Sequence, residues 1–296
     1  MLDMDTKASA RSVLVTGCSS GIGHATALRL ARAGFVTYAT ARRPDTLADL
    51  AAAGCRTLAL DVTDERSMRE AVAAAERDGA LFGLVNNAGY SQSGALPTLP
   101  MDKLRAQFET NVFGLVRLTQ LVIPAMRRAG AGRIVNISSM GGRLSFPGGG
   151  AYHATKHALE ALSDVLRFEL HPAGIDVVVI QPGAIRTNYA ERVVREMPDT
   201  SASSGDPYAA YNAAMAAATV EAYERGPLNT LGGDADAVAR VIERALTSAR
   251  PRTRYRVTPS AHVMMTLRAL LPDRWWDAFL RRQYGRTGHL LPGRGN

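Results

Sequence analysis

The 296 residues are 46% hydrophobic and 21% charged, the composition of a soluble globular protein with a sizeable core. Two cysteines, Cys18 and Cys55, are too few for a disulfide framework or a cysteine zinc site, and no apolar run approaches membrane-spanning length. All of the +8 net charge lies in residues 250–296, which hold ten Arg, two Asp and no Lys.

The elements alternate. "SVLVTG" (12–17) reads as a buried strand and "GHATALRLARAG" (23–34) as an amphipathic helix. "FVTYATA" (35–41), "RTLALDV" (56–62) and "LFGLVNNAG" (81–89) predict strands two to four, separated by the helices "DTLADLAAAG" and "DERSMREAVAAAERDG". A long helix is predicted from about Met101 to Arg128, with Asn111 inside it. "GRIVNISS" (132–139) is a fifth strand, "AYHATKHALEAL" (151–162) a helix, and "IDVVVIQPG" (175–183) a sixth strand. "DADAVARVIERALTSA" (234–249) and "TRYRVTP" (253–259) close the series as a helix and a seventh strand. Short, nearly all-apolar strands alternating with helices predict an α/β fold. The sheet would be mostly parallel and seven-stranded, doubly wound, with helices on both faces.

Residues 188–233, rich in Ala, Ser, Tyr and Gly, break this rhythm. A substrate flap and helical filler are both compatible with them. In 260–296, Val263, Met264, Leu267, Leu270 and Leu271 share a helical face, and Trp275, Trp276, Phe279 and Leu280 form a second apolar patch among arginines. Such a basic amphipathic segment packs on its own domain or on a second subunit; lying on a membrane surface is the alternative. The whole chain, 1–296, is read as one unit. The absence of an apolar leader in "MLDMDTKASARSVLVTG" sets the expectation of a cytoplasmic protein.

Three stretches carry chemistry. "TGCSSGIG" (16–23) joins a strand to a helix, and its glycines let a phosphate approach free N–H groups at the helix start. Tyr152 and Lys156 stand four residues apart, on one helical face, where an ammonium would favour the phenolate. "YATARRPDTL" ends the second strand with Thr40 and Ala41 where an acid would bind ribose hydroxyls, then Arg42 and Arg43, which suit a 2′-phosphate. Asp45 comes too late to be that acid. His153 and His157 have the i, i+4 spacing of metal ligands, but without a third ligand they predict no metal site. No recognition motif accompanies the C-terminal arginines, so nucleic acid is not an expected partner.

These motifs, in this order, resemble the classical short-chain dehydrogenase/reductase family from about Ser12 to Thr187. The match comprises TGxxxGxG (16–23), Asp61 in "LDV", "NNAG" (86–89), Asn111 in "TNVFG", "NISS" (136–139), Tyr152-x-x-x-Lys156 and "PGAIRT" (182–187). The branch with 17β-hydroxysteroid and retinol dehydrogenases is the most similar. The resemblance implies a Rossmann-type oxidoreductase that moves a hydride between a nicotinamide and a secondary alcohol or ketone. It makes Ser139 the carbonyl-holding hydroxyl, with Ser138 the adjacent alternative, Tyr152 the general acid/base, and Lys156 its tuner and ribose ligand. Asn111 would complete a proton relay to Lys156 through its carbonyl and a water. The dinucleotide would meet Gly17, Ser19, Ser20, Gly21, Ile22 and Gly23. Arg42 and Arg43 would hold its phosphate, with Asp61, Val62, Asn87, Ala88 and Gly89 at the adenine. Pro182, Gly183, Ile185 and Thr187 would join Tyr152 and Lys156 at the nicotinamide end. NADP is the expected cofactor and NAD the alternative. A lipophilic carbonyl or alcohol is the expected substrate; Tyr90, Met140, Phe146 and Tyr189 are read either as contributors to its apolar pocket or as core. A homo-oligomer is expected, and a dinucleotide-binding redox sensor without turnover is the competing reading.

Overall fold

The computed structural model describes residues 11–77, 79–186, 207–224, 226 and 230–284. Seven parallel strands run in the spatial order β3-β2-β1-β4-β5-β6-β7. They are β1 (Ser12–Val15), β2 (Val36–Ala41), β3 (Arg56–Ala59), β4 (Gly83–Asn86), β5 (Gly132–Ile137), β6 (Ile175–Gln181) and β7 (Arg254–Arg256). Between them lie α1 (Gly21–Arg32), α2 (Ala48–Ala52), α3 (Glu65–Ala75), α4 (Met101–Phe108), α5 (Gly114–Ala129), α6 (Gly150–Leu170), α7 (Ala209–Glu224) and α8 (Ala235–Thr247); α9 (Pro259–Leu270) and α10 (Asp273–Gln283) follow β7.

Strand alternation divides the core. Leu14, Leu84, Ile134 and Val177 are paired in register across β1, β4, β5 and β6, and pack with Leu118, Val122 and Met126 of α5. Val15, Val85, Val135 and Val178 form the next row and pack with Leu30 of α1 and Ile242 and Leu246 of α8. Both faces are thus covered, which explains why the strands read as continuous apolar runs instead of alternating ones. Arg133 serves the second layer differently: its guanidinium donates to the carbonyls of Ala245, Leu246 and Ser248 at the end of α8, and pairs with Asp176. Those carbonyls otherwise lack helical partners.

Several boundaries differ from the sequence expectation. β4 stops at Asn86 because Asn87 N–H turns to donate to the Thr16 hydroxyl (2.9 Å). The long helix is continuous from Met101 to Ala129 but passes through a π-turn at Glu109–Phe113. In the 188–233 stretch, where 188–206 lie outside the described residues, Ala209–Glu224 is helical: α7 accepts a hydrogen bond from Ala95 N–H at Asn212 Oδ1 (2.8 Å) and sets Met215 against Gly148. Among the described residues no helix is long and apolar enough to cross a membrane.

The sheet order reverses between β1 and β4. Chains leaving these two strands go to opposite sides, and the crevice at their carboxyl ends is where open α/β sheets take ligands.

Candidate active site

The loop after β1 forms one wall of this crevice. Gly17 has φ +71°, a conformation that side chains disfavour. A Cβ on Gly23 would lie 2.3 Å from the Gly17 carbonyl oxygen and 2.4 Å from Asn87 Nδ2. Asn87 latches the loop by donating from Nδ2 to the carbonyls of Thr16 (2.9 Å) and Gly17 (3.2 Å), while Thr16 Oγ1 accepts from Asn87 N–H and Ala88 N–H. Asn87 is therefore a loop holder as well as a candidate adenine neighbour. Ser20 caps α1 without a side-chain hydrogen bond, and the first turn holds no acid, so its N–H groups stay open to an anion. Ser19 and Ser20 are exposed beside Gly21 and Ile22. Cys18 is buried, its thiol pushed up to about 12 by desolvation, which makes it an inert filler.

Cys18 N–H donates to Thr40 O (2.8 Å), tying this loop to the end of β2. Arg42 and Arg43 follow immediately; both are exposed and neither has an acid partner among the described residues. Asp61 uses Oδ1 to accept from Thr63 N–H and Oγ–H. Val62 is buried.

The opposite wall comes from β5, α4–α5 and α6. The π-turn seats Asn111 in the interior, where Nδ2 donates to Tyr90 O (2.9 Å) and Thr155 Oγ1 (3.1 Å) and Oδ1 accepts from Tyr90 N–H (3.1 Å). Its side chain fixes the loop at Tyr90, after Gly89, so only its main chain is left for a relay. Lys156 is buried one turn beyond Tyr152. Its Nζ donates to Ile137 O (2.8 Å) and lies 5.7 Å from the Tyr152 ring centroid. Desolvation pushes this ammonium down to about 8, while the Glu160 carboxylate one turn further along pulls it upward. A lysine so placed keeps most of its charge at neutral pH.

Ser138 and Ser139 face different ways. Ser138 is buried below Gly142 and its hydroxyl has no hydrogen-bond partner among the described residues. Ser139 is half-buried; its hydroxyl accepts from Gly141 N–H (3.0 Å) and retains a proton to donate. His153, read from sequence only as a non-ligand, holds this turn. Its ring lies between Gly141 and Gly149, contacts Phe146 and Tyr152 edge-on, and meets Gly141 O through Nδ1 (3.1 Å). Burial pushes its pKa down to about 4, so at neutral pH Nδ1 carries the proton and donates it. His157 Nδ1 reaches only the His153 carbonyl, and among the described residues no three His, Cys, Asp or Glu side chains converge on a metal position.

Pro182 O accepts from Met140 N–H (2.8 Å), Gly183 N–H donates to Thr258 Oγ1 (3.1 Å), and Ile185 bridges to Gly233. Thr258 also caps α9, and Ser260 Oγ accepts from Ala184 N–H (3.0 Å). Neither hydroxyl was marked by a sequence motif. Thr187 and Tyr189 lie outside the described residues.

A family model described as short chain dehydrogenase matches residues 11–198. The chain belongs to the short-chain dehydrogenase family. The uncharacterized oxidoreductase YbbO of Escherichia coli K12 is 38% identical to this short-chain dehydrogenase over 277 residues, covering 93% of this chain and 96% of that protein. Human retinol dehydrogenase 5 is 34% identical over 283 residues, 92% and 88% of the two chains. A crystal structure of a short-chain dehydrogenase/reductase from Burkholderia phymatum in complex with NAD has a TM-score of 0.74 at 27% identity, covering 88% of this chain and 93% of that one.

Of the two readings open for Met140 and Phe146, pocket wall or core, the structure supports core. Met140 is core: it is buried with Leu144, Met265 and Trp276, and Phe146 packs against this cluster instead of standing free as pocket wall. Trp276 of α10 meets Phe146 at 6.4 Å between centroids, so the C-terminal helices pack back over the turn that follows Ser139. Trp275, its neighbour, is 69% exposed.

Proposed function

We propose that this short-chain dehydrogenase is an NADP-dependent oxidoreductase that interconverts a lipophilic secondary alcohol and its ketone, with Tyr152 as general acid and base. The observation that carries the reading is the buried Lys156 ammonium, one helical turn from Tyr152 and 5.7 Å from its ring. It favours the phenolate, and so lets Tyr152 give and take a proton near neutral pH.

The dinucleotide fits the residues present: glycine positions that a Cβ would fill, an uncapped helix start without acids, and Arg42 and Arg43 beyond β2, exposed and without an acid partner among the described residues. Gly17 to Gly23 would hold its phosphates, Arg42 and Arg43 the 2′-phosphate, Asp61 to Val62 and Asn87 to Gly89 the adenine side, and Pro182, Gly183, Ile185 and Thr187 the nicotinamide side. The bound nicotinamide supplies or accepts the hydride. In reduction Tyr152 gives its phenolic proton to the carbonyl oxygen while the Ser139 hydroxyl donates a hydrogen bond to the same atom. Developing negative charge is thereby met by two donors. In oxidation Tyr152 takes the proton back. Lys156 steadies the phenolate and would bind the ribose hydroxyls, and the main chain of Asn111 passes protons through water to Lys156.

A lipophilic substrate is supported by Leu96, 55% exposed over Gly150 at the start of α6 and the entrance beside it. We read the 188–233 insertion as a substrate flap on the strength of α7 (Ala209–Glu224); residues 188–206 lie outside the described residues. The test is titration of the purified protein with NADPH and NADH, followed by turnover on a panel of ketones and aldehydes. Tyr152→Phe should keep dinucleotide binding within about threefold and lose at least about a hundredfold in turnover. Unchanged turnover would remove Tyr152 from the mechanism, and turnover by neither form across the panel would favour a dinucleotide sensor.

A further inference from the structure

At the β7 edge of the sheet, four strands along from β1 and its glycine loop, a cavity of about 1090 Å³ is lined by seven arginines and not one acid. Three of these arginines are neutralised from behind. Arg143 and Arg254 converge on buried Glu160 (3.1 and 3.0 Å) and both reach Asp164, and Arg268 pairs with Asp273 (2.7 Å). The other four are not. Arg256 meets only the Thr266 hydroxyl (3.3 Å), and Arg244, Arg250 and Arg252 have no acid partner among the described residues.

A solvated basic surface spreads like charges over convex ground. Here they are gathered from the last turn of α8, the segment entering β7, β7 itself and α9, around one concavity the size of a small-molecule site. Guanidinium groups are weakly hydrated and carry donors in a planar fork that matches phosphate oxygens. His262 and Gln181 add further donors in the same lining. We propose that this cavity is a second binding site, separate from the dinucleotide crevice, for a multiply charged phosphate-bearing anion. The phosphates could belong to a free polyphosphorylated molecule or to phospholipid headgroups. The second source has a physical basis, because Val263 and Leu270, 51% and 75% exposed, each follow a cavity-lining residue of α9, His262 and Ala269, and so present apolar side chains on the face next to the one that lines the cavity.

The test uses the full chain saturated with nicotinamide dinucleotide, so that the glycine loop is filled. Inorganic tripolyphosphate is titrated by calorimetry, and vesicles of phosphatidylcholine with and without about one-third phosphatidylglycerol are co-sedimented. Both arms are run at low and high salt. The comparison variant is Arg244→Ala/Arg250→Ala/Arg252→Ala, which leaves the Glu160 and Asp164 pairs intact; its thermal melt and dinucleotide titration report folding. Saturable tripolyphosphate binding, weakened at least tenfold in the variant and by salt, supports the site with a free phosphorylated ligand. Binding confined to phosphatidylglycerol vesicles, and lost in the variant, supports it with a lipid source. Binding of neither probe, or equal binding by a folded variant, overturns the proposal.

Discussion

Gly23→Ala is the sharpest perturbation of the loop. The added methyl would lie 2.3 Å from the Gly17 carbonyl oxygen and 2.4 Å from Asn87 Nδ2, against an ordinary contact of about 3.4 Å. Something must therefore open by about 1 Å. The carbonyl belongs to the turn that presents the N–H groups, and Nδ2 belongs to the latch that holds it. Overpacking of this kind costs about 1–3 kcal/mol, and weakening the two Asn87 bonds adds about 1 kcal/mol each. Stability should fall by about 3–5 kcal/mol in urea melts. Misaligned N–H groups lose charge-assisted hydrogen bonds to phosphate, each worth about 1.5–3 kcal/mol, so two such losses weaken dinucleotide binding at least about a hundredfold. Fluorescence titration of the folded variant reads this directly. Asn87→Ala in the same background removes one of the two contacts but not the carbonyl, and should fail to restore binding. A Gly23→Ala protein that binds dinucleotide within a few-fold of the parent, with an unchanged melt, would refute the close-approach reasoning.

Other outcomes follow from single side chains. His153 is pushed from 6.5 to about 4 on folding, so the unfolded chain binds more protons between those values. Its contribution, about 3 kcal/mol, is present above pH 6.5 and is lost as pH falls through about 4. His153→Phe should flatten that stretch of the stability–pH curve measured by urea melts, and an unaltered slope would rule out His153 as its source. Arg42→Ala should weaken NADPH binding at least about tenfold while leaving NADH nearly unchanged; equal effects on both would move the phosphate ligand elsewhere. Trp276→Ala empties a buried position against Phe146 and should cost about 3–5 kcal/mol in a thermal or urea melt, whereas Trp275→Ala should be close to neutral.

Patterns carried by neighbouring residues were legible in the chain. The apolar strands, the glycine spacing after β1 and the Tyr152–Lys156 pair depend on geometry repeating within one turn or one pleat, and all appear where those periods put them. Boundaries were less legible, because β4 ends where Thr16 Oγ1 captures the next N–H group, and that partner comes from elsewhere in the fold. The packing role of His153 was not legible because it depends on two glycines on either side of Ser145 and Phe146, and no period marks that slot.

The sequence by itself determined the doubly wound sheet, the order of its motifs and the residues brought to its carboxyl edge, since these rest on local periodicity and short turns. Only the tertiary structure decided which of Ser138 and Ser139 lies open, which tryptophan is buried, and that Asn111 gives its side chain to Tyr90 and Thr155. It alone gathered Arg143, Arg244 and Arg268 around one cavity. The physical reason is the same in each case: burial and charge are properties of what surrounds a residue, and those surroundings come from elements distant along the chain.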